Sequence, residues 1–462
     1  MAIRGGAATL YYPIWHLEVE SLIVLKNNRG VEDNRIRQLD YGVQLNKLMY
    51  TRLIKDQDIT LFSPHSIEGM YDAFFNDQEL FEKLYTEAEN NPLIPKKKIP
   101  ARDLFSLLMS ERANTGRIYI MNVDHCNTHS SFDEKVAPIH MSNLCLEITL
   151  PTKPLENIND EEGLISLCTL AGVNLGKVEK LEDLEESCDL LVRSLDELLT
   201  YQNYPVPAAK RATELYRSLG IGVINFAYYL AKNGKRVIDG SGLELTHQTF
   251  EALQYYLLKS SVQLSKEKGA CLGFKDTKYA KGILPIDTYK KDIDAFAPFN
   301  LQYDWEALRK EIQEFGLRNA TLSTQFPSES SSQVSNATNG IDIPRSPLTV
   351  KASKDGILKQ IVPEYERLKG QYEYLWDDNN NQGFLKIVAI IQKFMDQAIS
   401  TNTRYNPAAL PNGKVPMKLM LQELMLAYKW GVKTLYYHHT NDGADDTQDS
   451  LDDGCAGGAC KL

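Results

Sequence analysis

Three polar residues at alternate positions, Asn143, Cys145 and Glu147, interrupt an apolar stretch in Asn143-Leu-Cys145-Leu-Glu147-Ile148. In an extended segment an amide, a thiol and a carboxylate at i, i+2 and i+4 project to one face, while Leu144 and Leu146 project to the other. Grouped in one pocket, they could exchange protons and electrons with a small polar substrate. Alone, the pattern is more often an amphipathic edge strand. Two further thiols close the chain in Cys455-Ala-Gly-Gly-Ala-Cys460-Lys-Leu462, behind a Gly- and Asp-rich stretch. A thiol pair on a mobile arm suits the transfer of reducing equivalents between places that do not touch, provided a second pair is oxidised during turnover. Another Cys, Cys168 in Ser166-Leu-Cys168-Thr-Leu170, follows the first site at about the separation of neighbouring strands. By itself it reads as a small core residue.

Pro327-Ser328-Glu329-Ser330-Ser331 suits a helix start, with Pro and Ser at the opening and free backbone N–H groups beyond it. Such an end can bind phosphate without a basic residue, although a simple capped helix has the same spacing. Adjacent Tyr436 and Tyr437 read as interface or core aromatics. His438 and His439 follow, but a metal site needs more ligands than two neighbours supply. Asp124-His125-Cys126-Asn-Thr-His129 looks metal-like yet lacks a second cluster, so a structural loop after a strand is expected. Gly220-Ile-Gly222-Val-Ile-Asn225 fails the dinucleotide fingerprint at its third glycine and lies in an apolar, helix-like run. Lys96-Lys-Lys98 is expected as a solvated turn before Pro100.

The elements that must position these groups follow from periodicity. Helical spacing of apolar residues covers 16–26, 77–89, 101–112, 181–200, 207–232, 247–266, 304–315 and 355–374. Shorter runs at 59–62, 117–123, 144–150, 165–170 and 319–325 read as strands. Helices alternating with strands imply an α/β body with parallel strands. From about Lys351 the strands are expected to give out, with helices at 383–400 and 415–433 closing the ordered part. After Thr440 the composition turns acidic and small, as in a disordered tail.

Length and charge set wider bounds. A chain of 462 residues, 43% hydrophobic and 24% charged, is long enough for two or three domains. A net charge of −10 argues against a nucleic-acid footprint. No stretch of eighteen apolar residues occurs and no signal peptide opens the chain, so a cytoplasmic protein without a membrane span is expected. Seven cysteines, an odd number in a large chain, do not make a disulfide framework.

Taken together, Asn143-Leu-Cys145-Leu-Glu147, Leu167-Cys168-Thr-Leu170, Pro327-Ser-Glu-Ser-Ser-Ser-Gln333 with Asn336-Ala-Thr-Asn-Gly340, Leu435-Tyr436-Tyr437 and the Cys455/Cys460 pair resemble the large, catalytic subunit of class I ribonucleotide reductase. The motifs occur in the family's order over the whole chain. The resemblance implies most of a ten-stranded α/β barrel over residues 1–345, with a central finger loop around Cys145, then a helical region over 346–440 and a redox-shuttle tail over 441–462. It implies that Cys145 becomes a thiyl radical that abstracts the ribose 3′-hydrogen. Glu147 would accept the 3′-hydroxyl proton and Asn143 would hydrogen-bond the ribose hydroxyls. Cys168 would be one of two thiols that end as a disulfide, and Cys455 with Cys460 would reduce it again. Tyr437 would receive the hole and Tyr436 pass it inward. Ser328, Glu329, Ser330 and Ser331 would bind the substrate diphosphate; where this chain has Ser330, relatives often have Thr.

By the same resemblance Arg4, Gly5 and Gly6 match the closing half of a specificity loop. The preceding helical domain, the thiol partner of Cys168 and most of the site for dNTP and ATP effectors would then lie elsewhere. The chain is therefore expected to be the C-terminal part of a catalytic subunit made in two pieces. Its partners would be an N-terminal fragment, a small subunit with a di-iron tyrosyl radical, and thioredoxin or glutaredoxin. No metal or other cofactor is expected in this chain itself. The competing expectation is an inactive fragment that binds the small subunit without catalysis.

Overall fold

A computed structural model describes residues 6–353 and 356–441. Arg4, Gly5, Cys455 and Cys460 lie outside the described residues. Among the described residues the strands are β1 (Thr9–Pro13), β2 (Asp40–Leu45), β3 (Asp58–Leu61), β4 (Lys97–Pro100), β5 (Ile118–Asn122) and β6 (Leu170–Asn174). They continue with β7 (Gly220–Ile224), β8 (Leu348–Ser353), β9 (Gly356–Ile361), β10 (Thr403–Tyr405), β11 (Thr434–Leu435) and β12 (His438–Thr440).

β1, β2, β5 and β11 form one sheet in that order, while β6 pairs with β7 and β10 with β12. Shorter contacts join these pieces. Tyr436 N donates to Thr401 O (2.7 Å) and Thr403 N to Tyr437 O (2.9 Å), which ties residues 399–405 to 434–440. Parallel bridges then link Ile399 to Gln325 and Ser323 to Ile221. The result is one arc that runs β1, β2, β5, β11 with β12, β10, residues 323–325, β7 and β6. Its first three strands are parallel, β11 runs antiparallel to β5, and the pairs from β12 to β6 are parallel again. Two parallel blocks thus meet head to tail between β5 and β11. β2, β5 and β7 are buried along their whole length, as expected where helices cover a parallel sheet.

Those helices arise largely where apolar periodicity places them: Gln78–Asn90, Ala101–Thr115, Asp183–Tyr201, Leu243–Lys268 and Trp305–Phe315. Asp77 and Asp304 start two of them by accepting from Leu80 N (3.1 Å) and Ala307 N (2.9 Å). Gly116 ends the Ala101–Thr115 helix at φ 70°, and its carbonyl accepts from His438 N (3.0 Å). A Cβ there would sit 3.0 Å from His438 O, so glycine alone allows the helix end and β12 to meet.

Several expectations are corrected. The 144–150 segment is a tight loop, not a strand: only Ser142 and Thr149 form a bridge, and Leu146 takes φ 65°. Residues 207–232 are two helices, Pro207–Tyr216 and Phe226–Lys232, separated by β7. The helix-like run at Gly220 to Asn225 is extended because Arg217 and Asn225 adopt left-handed φ of 44° and 70°, and Gly222 lets Thr324 O approach within 2.4 Å of where a Cβ would stand. Strands do not give out after Lys351; β9 replaces the first half of the helix expected at 355–374, leaving only Tyr365–Leu368 helical, and β10, β11 and β12 complete the arc. The 16–26 helix shrinks to Val19–Ile23, and β6 begins at Leu170, so Cys168 precedes the strand. The late helices are also shorter than expected, Gln382–Phe394 and Met417–Lys429. Residues 124–128 belong to a short helix, Val123–Thr128, with His129 at its C-cap, in place of a loop. Lys97 and Lys98 lie in β4, while Lys96 Nζ caps a helix end by donating to Ala88 O (2.8 Å), Glu89 O (2.9 Å) and Asn91 O (2.6 Å).

Candidate radical site

The loop from Ser142 to Thr149 crosses the inside of the arc and is held from both sides. Near β1, Tyr11 Oη donates to Asn143 O (2.7 Å) and Thr9 Oγ1 to Leu144 O (3.4 Å). From the opposite block, Thr434 Oγ1 lies 3.0 Å from Leu146 O, Thr324 Oγ1 donates to Glu147 O (2.7 Å), and Ala398 N donates to Glu147 O (3.0 Å). Ser400 Oγ reaches Cys145 O at 2.5 Å and Glu147 Oε2 at 3.2 Å. The loop also braces itself: Ile148 N donates to Asn143 Oδ1 (3.1 Å) and Ser142 Oγ to Ile148 O (2.6 Å). A non-glycine residue at positive φ costs about 1 kcal/mol or more, and the Leu146 side chain offsets that by complete burial.

Of the three residues singled out from sequence, Asn143 and Glu147 meet side chain to side chain, and Cys145 is joined to Glu147 through Ser400, by loop folding and not by strand alternation. Asn143 Nδ2 donates to Glu147 Oε1 (2.8 Å) and lies 3.5 Å from Cys168 Sγ. Because Ile148 N–H fixes Asn143 Oδ1 as the acceptor, the amide must turn its donor toward the carboxylate and the thiol. Cys145 is buried, 6% exposed, with Leu146, Tyr119 and Tyr436. Cys168 is solvent-exposed at its surface yet surrounded by protein mass, and burial followed by the Glu147 charge pushes its thiol up to about 12, opposed by the Asn143 hydrogen bond. Its exposure means that water screens part of this effect.

Tyr436 Oη donates to Cys145 Sγ at 3.4 Å. Tyr437 packs on Tyr436 with ring centroids 3.8 Å apart, and Arg117 lies over the Tyr437 ring at 5.5 Å. A third ring, Tyr119, sits 4.9 Å from Tyr436 and 5.9 Å from Tyr437, its hydroxyl donating to Asp40 Oδ2 (3.0 Å). Burial raises the Tyr119 phenol well above its ordinary value. The backbone under the tyrosine pair is clamped by Arg112, which is fully buried and donates to Ile118 O (2.5 Å), Tyr436 O (2.7 Å), Tyr437 O (3.2 Å) and Thr403 Oγ1 (3.2 Å). A thiol touching a phenol that stacks on a second phenol is an arrangement for moving one electron and one proton inward in short steps.

The expected anion segment lies on a short helix, Glu329–Val334, with Ser328 at its N-cap. No side chain caps it, and Ser330 Oγ is buried with no hydrogen-bond partner among the described residues. Ser331 is exposed, and Gly6 is exposed at the edge of the described chain. The metal-like residues are engaged otherwise: the His125 ring stacks on Tyr428 (4.2 Å), and His129 lies between Thr288 Oγ1 (2.8 Å) and Gln392 O (2.6 Å). No group of three or more metal-ligating side chains occurs among the described residues. No helix among them is long and apolar enough to cross a membrane. Sequence reasoning missed Ser400, Thr434, Tyr11, Tyr119 and Arg112. Arg112 carried the one usable signal, an arginine on the apolar side of its helix.

Residues 1–438 match the family model described as the ribonucleotide reductase barrel domain. The chain is 67% identical over 460 residues to the ribonucleoside-diphosphate reductase subunit alpha of Haemophilus influenzae and 64% identical over 465 residues to the ribonucleoside-diphosphate reductase 1 subunit alpha of Escherichia coli K12. It is 48% identical over 469 residues to the subunit alpha of enterobacteria phage T4. Each match covers all of this chain and 61% of the relative's length.

Proposed function

The chain belongs to the ribonucleotide reductase barrel-domain family, and on that premise we propose that it is a catalytic component reducing ribonucleoside diphosphates to their 2′-deoxy forms by thiyl-radical chemistry. The observation that carries this reading is the contact of Tyr436 Oη with Cys145 Sγ beneath the stacked Tyr437 ring. An oxidising equivalent from a separate small subunit, whose di-iron tyrosyl radical supplies it, enters at Tyr437 and passes to Tyr436. The Tyr436 phenoxyl then takes the thiol hydrogen of Cys145, which restores the phenol and leaves the radical on sulfur. Cys145 removes the ribose 3′-hydrogen atom, and Glu147 takes the 3′-hydroxyl proton as the 2′-hydroxyl, protonated by a thiol of the reducing pair, leaves as water. Once that pair has been oxidised to a disulfide, Glu147 returns its proton to the 3′ oxygen and Cys145 returns the hydrogen atom to C3′, regaining the radical. Asn143, turned toward Glu147 by the Ile148 N–H that its Oδ1 accepts, holds the ribose hydroxyls.

Two thiols supply the two electrons and two protons. Cys168 is one of them. The other comes from outside this chain, since Cys126 and Cys188 are buried against Lys433 O and Leu253 O and Cys271 is buried in a separate apolar cluster. Cys455 and Cys460 return the resulting disulfide to thiols and are themselves reduced by thioredoxin or glutaredoxin. The substrate diphosphate sits at Ser328, Glu329, Ser330 and Ser331, where the unpartnered Ser330 hydroxyl supports an anion contact. Arg4, Gly5 and Gly6 serve a specificity loop shared with an N-terminal fragment that binds the dNTP and ATP effectors. The assembly works in the cytoplasm.

The test combines this chain with the remaining part of an alpha subunit, the small subunit and a thioredoxin system, and follows deoxyribonucleoside diphosphate formation. Product that disappears with Cys145→Ser supports the reading. Well-folded, associated components that make no product would leave only small-subunit binding.

A further inference from the structure

A continuous hydrogen-bond chain joins the Ser328 end of the short helix to the backbone of Tyr437. Ser328 N donates to Asn339 Oδ1 (2.8 Å), and Asn339 Nδ2 donates to Asp342 Oδ2 (3.3 Å). On the far side Tyr437 N donates to Asn402 Oδ1 (3.1 Å), and Asn402 Nδ2 donates to both Asp342 oxygens at 3.2 Å. Backbone N–H groups cannot accept, so the two ends fix both amides with their oxygens outward. Each amide then has only its donor left for the residue between them. Asp342 Oδ2 accepts from both amides and Oδ1 from Asn402 alone, so a carboxylate meets every donor, whereas an amide would put an NH2 group against the Asn402 donor at one of the two positions.

We infer that Asp342 is a positioning residue that couples occupancy of the diphosphate segment to the placement of Tyr437. The inference rests on the reductase reading above, because it takes 328–331 as the diphosphate segment and Tyr437 as the point of radical entry. The surroundings favour a group whose bonds can be redistributed. Asp342 is half-buried, and burial raises its carboxyl to about 7; the Asn402 hydrogen bonds, Arg404 and Arg345 oppose that rise while Glu329 adds to it. Glu329 belongs to the diphosphate segment itself, so an anion arriving there changes the field at Asp342. A shift of Asn339 on the Ser328 side alters which Asp342 oxygen remains for Asn402, and Asn402 carries the change to Tyr437 N.

The test uses the assembled enzyme, with an easily oxidised tyrosine analogue at position 437 whose radical is read by electron paramagnetic resonance with and without diphosphate substrate. Asp342→Asn keeps one oxygen for the two amides but sets its own NH2 group against the Asn402 donor. It is expected to lower kcat about tenfold, the loss of one charge-assisted hydrogen bond, and to raise KM as well. The substrate-dependent gain in radical at 437 should fall with it. Combining Asp342→Asn with Asn402→Asp restores donor–acceptor complementarity along the chain and should recover most of both. Asn339→Ala, which cuts only the Ser328 side, should reduce the substrate-dependent radical gain and keeps the test alive if Asp342→Asn does not fold. An unchanged radical gain in Asn339→Ala, or an Asp342→Asn effect on KM alone, would overturn the coupling. A wild-type assembly that forms no product would instead remove the reductase reading.

Discussion

The Tyr436 hydroxyl points its proton at Cys145 Sγ across 3.4 Å, and the two residues lie 291 positions apart in the chain. Both are held largely by residues distant in sequence. Cys145 rides on a loop pinned by Ser400, Thr434 and Tyr11, whereas Tyr436 lies between β11 and β12 over the Arg112 clamp. The contact exists because two parallel blocks of strands meet antiparallel at β5 and β11, which brings the end of the described chain back across the loop.

Ser400 makes the contact closest to that thiol's backbone. Ser400→Ala removes a hydroxyl shared by Cys145 O and Glu147 Oε2 and leaves the fold's strands unchanged. In the assembled enzyme kcat should fall about tenfold, ~1.4 kcal/mol, with KM for the nucleotide little altered. Steady-state kinetics of the variant check this, and a change confined to KM would place Ser400 in substrate binding instead.

Arg112 should matter for stability more than any surface ion pair. Burial lowers its guanidinium to about 10, so it remains charged at neutral pH while feeding four oxygen acceptors. Arg112→Leu strands those acceptors and should cost about 3 kcal/mol or more in denaturant unfolding. Arg112→Lys should restore only part, because a point donor cannot match the planar fork. Equal stability of the leucine variant and wild type would contradict the clamp.

Cys168 is an exposed thiol that should react slowly. With its thiol pushed up to about 12 by burial and then Glu147, little thiolate exists at pH 8. Glu147→Gln removes the repelling charge and should speed alkylation of Cys168 several-fold, whereas Asn143→Ala, which deletes a donor to sulfur, should slow it. Peptide mapping after timed iodoacetamide treatment reads both rates.

Acid should destabilise the fold through histidines buried in neutral form. Burial lowers His125 and His247 to about 4 from an ordinary 6.5. Between those values the unfolded chain binds protons that the folded chain does not, so stability is full above about pH 6.5 and falls as pH drops toward 4. Below 4 the contribution of these two residues is lost and no longer changes. Urea midpoints measured across pH 4 to 7 should show this slope, and His125→Gln should flatten it. A midpoint independent of pH over that range would refute the assignment.

Much of this was legible in the sequence where the cause is local. Apolar periodicity located the helices at 78–90, 101–115, 183–201, 243–268 and 305–315 and the strands at 58–61 and 118–122. The residue types at Asn143, Cys145, Glu147, Tyr436 and Tyr437 marked positions that the structure brings into contact, Asn143 with Glu147 and Cys145 with Tyr436. What the sequence hid depends on distant partners. β7 looks helical until Thr324 O presses against Gly222, and the 142–149 loop looks like a strand until Ser400, Thr434 and Thr324 hold Leu146 at positive φ. The Asn339, Asp342 and Asn402 chain carries no local signature, because its meaning lies in which atoms face which.

In the proposed reaction Tyr436 delivers the oxidising equivalent to Cys145 through its hydroxyl. Tyr436→Phe keeps the ring stacked on Tyr437 and loses only that O–H, so stability should change by about 1 kcal/mol while deoxyribonucleoside diphosphate formation by the assembled enzyme falls to background. Turnover by a folded Tyr436→Phe variant at a rate near wild type would mean that the radical reaches Cys145 by another route.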